Sequence, residues 1–193
     1  MVIKNKIISG EFIELVEITI DDSETIFNWR TGPSGTFMNQ PDGYSLEMQN
    51  RWMASRPDNE VNYMIVEKSS GSRVGMIAIV GISEQDQNAE IGRLLLAPNF
   101  LGKSNPFGLE ALKLCATEIM ITWGMNKIYG NVLSENAPML KLQIYLGMKE
   151  EGLLKMQKSI KGLFYDLHLV ALFQNDFKKY YLPRLNLLLM SFR

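Results

Sequence analysis

Hydrophobic residues repeat with two different periods along this chain, and the period predicts the element. Residues 11–19 place β-branched and acidic residues in near alternation, which predicts a first strand. The capping segment 21–23 then precedes a short helical pattern, and Ser45 caps a second predicted helix over 46–54. Between the two helices, 31–44 is rich in glycine and proline. A connection of this length in a compact domain is often a binding loop.

Most of the remaining chain alternates strands with helical patterns. Apolar residues recur at helical spacing over 105–123 and again after Ser134 or Asn136, either of which can cap the helix. The runs 62–68 and 73–82 flank a short polar turn and predict an antiparallel hairpin. Strands are predicted at 62–68, 73–82, 89–96, 127–133, 148–156 and 163–173.

The order of these elements predicts an α/β (α+β) fold, with a central mixed, mostly antiparallel sheet of about seven strands flanked by helices. The strands at 89–96 and 127–133, with the helix between them, form a βαβ crossover. Residues 1–173 are expected to form one domain. Residues 174–193 are rich in tyrosine and leucine and are broken by Pro183. This tail is expected to dock on the domain as an amphipathic helix or to make an oligomer contact.

Composition and charge narrow the class of partners. Apolar residues make up 46% of the chain, and 20 Lys and Arg against 21 Asp and Glu leave a net charge of −1. This balance gives no electrostatic reason to expect nucleic acid as a partner. The single cysteine, Cys115, lies among apolar helix positions and predicts a buried thiol. No residue cluster has metal-ligand spacing, and no apolar run suits a signal peptide or a membrane span. A cytoplasmic protein without metal or membrane contact is therefore expected.

A loop of small and polar residues joins strand 89–96 to the helix that follows. Backbone N–H groups converge at such a helix N-terminus and bind anions. Ala97 stands where the motif Gly-x-x-x-x-Gly-Lys-Ser/Thr needs its first glycine, and Gly-x-Gly-x-x-Gly is absent. A phosphate-type ligand held in another way is therefore expected. The glycine and polar positions of the loop are Gly102, Lys103, Ser104, Asn105 and Gly108.

This stretch resembles the phosphate loop of the GNAT superfamily of acetyl-CoA-dependent N-acetyltransferases. Pro98-Asn-Phe-Leu-Gly-Lys-Ser-Asn-Pro-Phe-Gly-Leu-Glu-Ala-Leu112 is similar to the family form Pro-x-Tyr-Arg-Gly-Lys-Gly-x-Gly-x-Glu-Ala-Leu. Residues 126–136 resemble the family's fifth strand and its Asn-bearing turn, and 146–154 resemble the Leu-Gly-Phe-x-x-Glu-Gly signature. The resemblance runs from about Phe12 to about Phe173, and these motifs follow one another in the order and spacing of the family. The resemblance implies a GNAT-like fold and acetyl-CoA as co-substrate.

The resemblance also assigns the donor site. In the family a backbone N–H within 94–96 polarises the thioester carbonyl, pantetheine pairs with the splayed edge of that strand, and the loop N–H groups hold the pyrophosphate. Three departures from the family pattern are Leu101, Ser104 and Pro106, and Pro106 removes one N–H from the loop. The expected cofactor-binding residues are Leu94, Leu95, Leu96, Gly102, Lys103, Ser104, Asn105, Phe107, Gly108 and Asn136.

Three residues are candidates for catalysis. Glu90 is a candidate base, although a salt-bridged strand residue, a base acting through water and direct capture of a neutral amine stay open. Asn136 is either a helix cap or an amide that contacts pantetheine. Gln143 stands where many relatives carry a tyrosine, and its amide cannot act as a general acid. Tyr145, about 200° further round the helix, is expected to point away. The one histidine, His168, is expected to be a strand-face residue.

The first two helices and their loop are expected to bind the acceptor. The pattern Trp-Arg, Phe-Met-Asn and Ser-Leu-Glu-x-Gln-x-x-Trp resembles GNAT members that acylate nucleotide-activated amino sugars. Arg30, Arg51 and Arg56 would contact phosphate and the tryptophans would stack on the acceptor; in the alternative, the tryptophans belong to the core and the arginines are solvated. The expected substrate-binding residues are Trp29, Arg30, Phe37, Asn39 and Trp52.

Two other functions stay open at this point. One is a ribosomal-protein type N-terminal acetyltransferase, which predicts an open, often acidic groove for a peptide. The other is a non-catalytic acyl-CoA-binding module, which the altered loop and Gln143 suggest. The expected partner is a small-molecule amine acceptor, with a homodimer as an alternative to the monomer.

Overall fold

The computed structural model describes residue 2, residues 4–38 and residues 40–193. Within these residues, eight strands form one open sheet. The strands are β1 (Ile7–Ser9), β2 (Ile13–Glu17), β3 (Val61–Glu67), β4 (Arg73–Ser83), β5 (Asn88–Leu96), β6 (Lys127–Leu133), β7 (Lys149–Ile160) and β8 (Leu163–Phe173). Their order across the sheet is β1-β2-β3-β4-β5-β6-β8-β7, and all neighbouring strands are antiparallel except β5 and β6, which are parallel.

The mixed, mostly antiparallel sheet and the crossover from β5 to β6 confirm the predicted fold class. The expectation of about seven strands missed β1, because three residues are too short to show a period of two. The helices are α1 (Ser23–Thr31), α2 (Leu46–Ala54), α3 (Phe107–Thr117), α4 (Ala137–Leu146), α5 (Gln174–Asp176) and α6 (Leu182–Met190). None of the helices in the described ranges is long and apolar enough to cross a membrane.

Helices cover both faces of the sheet and divide the buried residues into two clusters. The larger cluster lies under α3 and α6 and includes Cys115, which is fully buried as predicted. The smaller cluster joins Ile26 of α1 and Met53 of α2 to Met64, Met76 and other side chains on the opposite face. Burial on both faces explains why β3 and β4 are almost continuously apolar rather than alternating.

The C-terminal segment continues through Pro183 without a break, so the prediction that this proline interrupts it is wrong. A π-helical turn at Phe177–Tyr181 joins α5 directly to α6. The wider turn lies immediately before the proline, where an ordinary helix would lose a hydrogen bond and clash with the preceding carbonyl. Phe177, Tyr181 and Leu185 are buried in the larger cluster.

The parallel strands β5 and β6 diverge soon after they meet. They pair only where Asn88–Glu90 faces Lys127–Tyr129. On the other edge of β5, Arg93 and Leu94 together oppose Ile77 of β4, which forms a β-bulge with Arg93 at φ +55°. The remainder of β5 pairs with β4 alone, and its second edge is left open.

Candidate active site

A cleft of about 610 Å³ opens where β5 and β6 diverge. The loop after α1, the start of α4 and the far half of β7 complete its walls. Six of the site residues expected from the sequence line this cleft. Asn39, another expected site residue, lies outside the described residues. These six cleft-lining residues are Arg30, Phe37, Glu90, Leu94, Asn136 and Gln143.

Glu90 lies at the base of the cleft, on the last pair before β5 and β6 separate. Its carboxylate accepts a 2.9 Å hydrogen bond from Nδ2 of Asn131, which lies two residues further along β6. Burial raises the pKa of Glu90, and the Asn131 hydrogen bond and the charges of Arg93 and Lys158 partly oppose this. A carboxylate with a raised pKa accepts a proton more readily, as a general base requires.

The open edge of β5 offers unpaired backbone donors. The N–H of Ala97 donates to the carbonyl of Val74 in β4. Because successive N–H groups of a strand point to opposite edges, those of Leu96 and Leu94 point away from β4 and toward the gap. The side chain of Leu94 lines the cleft, whereas Leu95 is buried in the smaller cluster.

Gln143 and Asn136 both reach the cleft from α4. Gln143 is only 8% exposed, and its Oε1 has no hydrogen-bond partner among the described residues. A buried polar atom left unpaired costs about 1 to 3 kcal/mol, so this oxygen suits a ligand that can donate to it. The Oδ1 of Asn136 accepts from the N–H of Met139 at 3.4 Å, which confirms that Asn136 caps α4.

The end of α4 explains the Leu-Gly signature. Gly147 adopts φ +114°, and a Cβ on it would lie 2.9 Å from the Cβ of Tyr180. Tyr145 is exposed and its ring lies against the guanidinium of Arg184. Tyr145 therefore points away from the cleft, as its position on the helix predicts.

The phosphate loop is held mainly by its own Asn105. Its Nδ2 donates to the carbonyls of Phe100 and Lys103, and its Oδ1 accepts the N–H of Phe107. Asn105 and Phe107 are therefore engaged within the loop. The N–H groups of Gly108 and Leu109 lie in the first turn of α3, where no helical carbonyl can accept them.

The loop side chains face a pocket separate from the cleft. This pocket has a volume of about 500 Å³ and lies against β2 and the β3–β4 turn. It takes in Lys103, Ser104, Asn105 and Phe107, which were selected as cofactor-binding residues. The backbone N–H groups of Gly108 and Leu109 in the first turn of α3 remain candidates for holding an anion.

A buried carboxylate fixes α3 beneath this loop. Glu110 is 2% exposed, and its two oxygens accept the N–H groups of Glu11, Phe12 and Ile13 at 2.6, 2.8 and 2.9 Å. The start of β2 is thereby tied to the helix that opens at the loop. The Gly-Leu-Glu-Ala motif could have drawn attention to Glu110. The sequence alone does not reveal the hydrogen-bond partners of Glu110, which lie about a hundred residues away.

Two arginine side chains lie over the ring of Trp52, one of the residues expected to bind the acceptor. Arg93 donates to both oxygens of Glu60, at 2.8 and 3.0 Å, and lies over the Trp52 ring. Arg30 lies over the rings of Tyr44 and Trp52 and donates to Gln49 at 3.2 Å. Trp52 is therefore half-buried between cations and packs on the smaller cluster.

Arg30 differs from Arg93 because its charge is not balanced. In the part of the chain that the structure describes, no carboxylate pairs with Arg30, and burial lowers the pKa of its guanidinium. Its Nε is buried without a hydrogen-bond partner. Because an unpaired buried charge is costly, an anionic ligand in the cleft would be favourable here.

The other predicted acceptor residues lie elsewhere. Arg51 forms an exposed ion pair with Glu47, and Arg56 donates to the carbonyl of Ile18. Neither is among the residues that line the cleft. Trp29 packs on the smaller cluster.

The Nδ1 atom of His168 on β8 lies 2.8 Å from Oε1 of Glu150 on β7, in keeping with a strand-face residue. The cleft also contains residues that the sequence did not single out. These are Tyr129 and Asn131 of β6, Arg93 of β5 and Gln157 and Lys158 of β7.

Comparison with known proteins defines the class. A family model described as an acetyltransferase (GNAT) domain matches residues 13–149. The match covers well over half of the chain, so the chain belongs to the GNAT acetyltransferase family.

Individual relatives agree with this assignment. The uncharacterized N-acetyltransferase p20 of Bacillus licheniformis is 28% identical over 115 residues, which are 60% of this chain and 63% of that protein. The match thus spans less than two thirds of that relative.

Two solved structures share the fold. A GCN5-related N-acetyltransferase from Brucella melitensis is 19% identical with a TM-score of 0.77, over 92% of this chain and 83% of that one. A spermidine N-acetyltransferase SpeG chimera from Vibrio cholerae and hSSAT is also 19% identical, with a TM-score of 0.75 over 87% and 99%.

Proposed function

We propose that this chain transfers the acetyl group of acetyl-CoA to a primary amine on a nucleotide-linked amino sugar or a similar anionic small molecule. The observation that carries the acceptor class is the guanidinium of Arg30 in the wall of the cleft, whose charge no carboxylate of the described residues balances. The donor follows from membership of the family and from the open edge of β5.

The residues present fit an acyl-CoA donor. Leu94 and Leu96 offer backbone N–H groups at the open edge, and the first turn of α3 offers more. The buried Oε1 of Gln143 lacks a donor that a bound ligand could supply. When bound, acetyl-CoA supplies an activated thioester. The N–H of Leu94 or Leu96 then stabilises negative charge as it develops on the carbonyl oxygen.

Glu90 is proposed to take a proton from the acceptor amine. The ammonium form cannot attack a carbonyl, so the nitrogen must lose one proton before attack, and it loses a second to solvent as the C–S bond breaks and the amide forms. Asn131 holds the carboxylate in place through the 2.9 Å hydrogen bond. Gln143 can hydrogen-bond to the leaving sulfur but has no proton to give, so the thiolate takes its proton from solvent.

The charges in the cleft favour an anionic acceptor over a polycation. Glu90 is the one carboxylate among the cleft-lining residues of the described chain, while Arg30 contributes an unbalanced positive charge. This does not match the acidic groove expected for the peptide-acetylating alternative. A polyamine would place several positive charges beside Arg30, which disfavours a spermidine-like acceptor.

A panel assay tests the proposal. The purified protein is incubated with acetyl-CoA and UDP-amino sugars, dTDP-amino sugars, peptides or spermidine, and thiol release is measured. Release with a nucleotide-linked amino sugar is the expected result. Release with peptides or spermidine alone would contradict the acceptor class, and CoA binding without release for any acceptor would favour the non-catalytic module.

A further inference from the structure

We propose that Lys158 is a second cationic contact for the anionic part of the acceptor and helps determine acceptor specificity. It lines the cleft from β7, whereas Arg30 lines it from α1. This inference rests on the proposed transfer to an anionic acceptor and identifies a residue of the same site.

A break in strand register places Lys158 there. In the β7–β8 pair, Leu154 faces Leu167 but Lys158 faces Tyr165, so three residues of β7 oppose Asp166 alone. With an unbroken register, Met156 would face Tyr165. The two extra residues therefore move Lys158 into the position that Met156 would otherwise occupy.

Asp166 holds this bulge in a defined shape. Its Oδ1 accepts the N–H of Met156 at 2.9 Å, and its Oδ2 pairs with Nζ of Lys155 at 2.8 Å. Met156 adopts φ +49°, which is unusual for a residue with a side chain, and it is 66% exposed. The bulge is thus fixed by specific contacts, and Met156 points to solvent while Lys158 reaches the cleft.

The ammonium group of Lys158 is available to a ligand. Neighbouring lysines of this region are paired: Lys127 with Glu151, Lys149 with Asp176 and Lys155 with Asp166. Within the described ranges, no carboxylate pairs with Lys158. It is only partly exposed, and its charge reaches Glu90, whose pKa it lowers.

The cleft therefore carries cations on two different elements, Arg30 on α1 and Lys158 on β7, together with the candidate base Glu90. Arg93 is already paired with Glu60 and is therefore less available to a ligand. Two separated cations suit a diphosphate, which can contact both, better than a neutral amine. A negative group that contacts Arg30 and Lys158 would share the cleft with Glu90, so the amine of the same acceptor could reach that carboxylate.

Charge variants test the role of Lys158. Lys158→Gln and Lys158→Glu are compared with Lys161→Gln, which removes the same charge from the exposed β7–β8 turn. KM and kcat are measured for a UDP-amino sugar and for the corresponding free amino sugar. KM for the UDP-linked acceptor is expected to rise about tenfold in Lys158→Gln, and more in Lys158→Glu. The free sugar and Lys161→Gln should show little change in KM.

Binding of UDP alone provides a second measurement that needs no turnover. Titration calorimetry should show about tenfold weaker UDP binding in Lys158→Gln and unchanged binding in Lys161→Gln, with melting curves confirming that each variant folds. Equal effects on UDP-linked and free sugars, or unchanged UDP affinity, would overturn the role of Lys158 alone. Turnover of neutral or cationic acceptors only, without UDP binding, would overturn the proposed acceptor class and Lys158 with it.

Discussion

Glu90 and Asn131 form a hydrogen bond across the gap between two diverging strands, 41 positions apart in the chain. The bond connects the candidate base on β5 to β6 just beyond the last paired residues. It fixes a carboxylate at the point where an acceptor amine would arrive.

Replacing Glu90 with glutamine should lower kcat/KM about 100-fold while the protein remains folded, because the amide keeps the shape but cannot accept a proton. Stopped assays across pH and a thermal melt check both parts. In the wild type, kcat/KM should fall as pH drops through the raised pKa of Glu90, above the usual value for glutamate. The glutamine variant should lack this acid limb, and a retained limb would assign the base elsewhere.

Asn131→Ala should shift the acid limb of kcat/KM toward higher pH. The hydrogen bond from Asn131 opposes the effect of burial, so its loss raises the pKa of Glu90 further. The pH profile of kcat/KM is the measurement. An unchanged midpoint with a uniform loss of rate would indicate that Asn131 only positions the acceptor.

Arg30→Met should weaken UDP binding at least tenfold without lowering the melting temperature. The guanidinium is buried without a balancing carboxylate, so its removal relieves a desolvation cost while the ligand loses a cation. Calorimetric titration and thermal melting measure the two effects. A marked loss of stability with unchanged UDP affinity would give Arg30 a purely structural role.

Gln143→Ala should change kcat less than tenfold, because the amide cannot donate a proton to the leaving thiolate. Thiol release under saturating acetyl-CoA measures this effect. A larger loss of kcat with intact CoA binding would show that Gln143 assists the leaving group directly.

Glu110→Ala should lower the free energy of unfolding by about 3 kcal/mol, since three backbone N–H groups lose their shared acceptor. Urea denaturation measures the loss. Glu11→Ala, which changes an exposed side chain next to the same hydrogen bonds, is the control. An equal loss in both variants would mean that the anchor contributes no more than a surface contact.

The sequence predicted most of the fold because its elements are locally encoded. The span 46–54, for example, is reproduced by α2. The errors concern features that depend on neighbours in space. β1 is too short to show a pattern, and Pro183 is tolerated because a π-helical turn precedes it.

The sequence could indicate cleft residues whose position follows from the predicted elements and the family resemblance. It could not indicate residues whose position depends on strand register. Glu90, Leu94, Asn136 and Gln143 line the cleft. Asn136 lies in a family motif, Gln143 stands where many relatives carry a tyrosine, and Glu90 and Leu94 lie on the predicted strand before the loop. Lys158 could not be found in this way, because its place depends on two surplus residues in β7 that no local pattern reveals. Asn131 likewise could not be found from the sequence, because its hydrogen bond to Glu90 depends on how β5 and β6 diverge in the folded sheet.

The Asp166-centred bulge also affects how this protein could diverge. Insertion or deletion of residues at 155–157 would slide the end of β7 along β8 and exchange the side chain presented to the cleft, with β5, β6 and the donor loop untouched. With Lys158 in its proposed role, acceptor choice would therefore change through strand length as well as through point substitution.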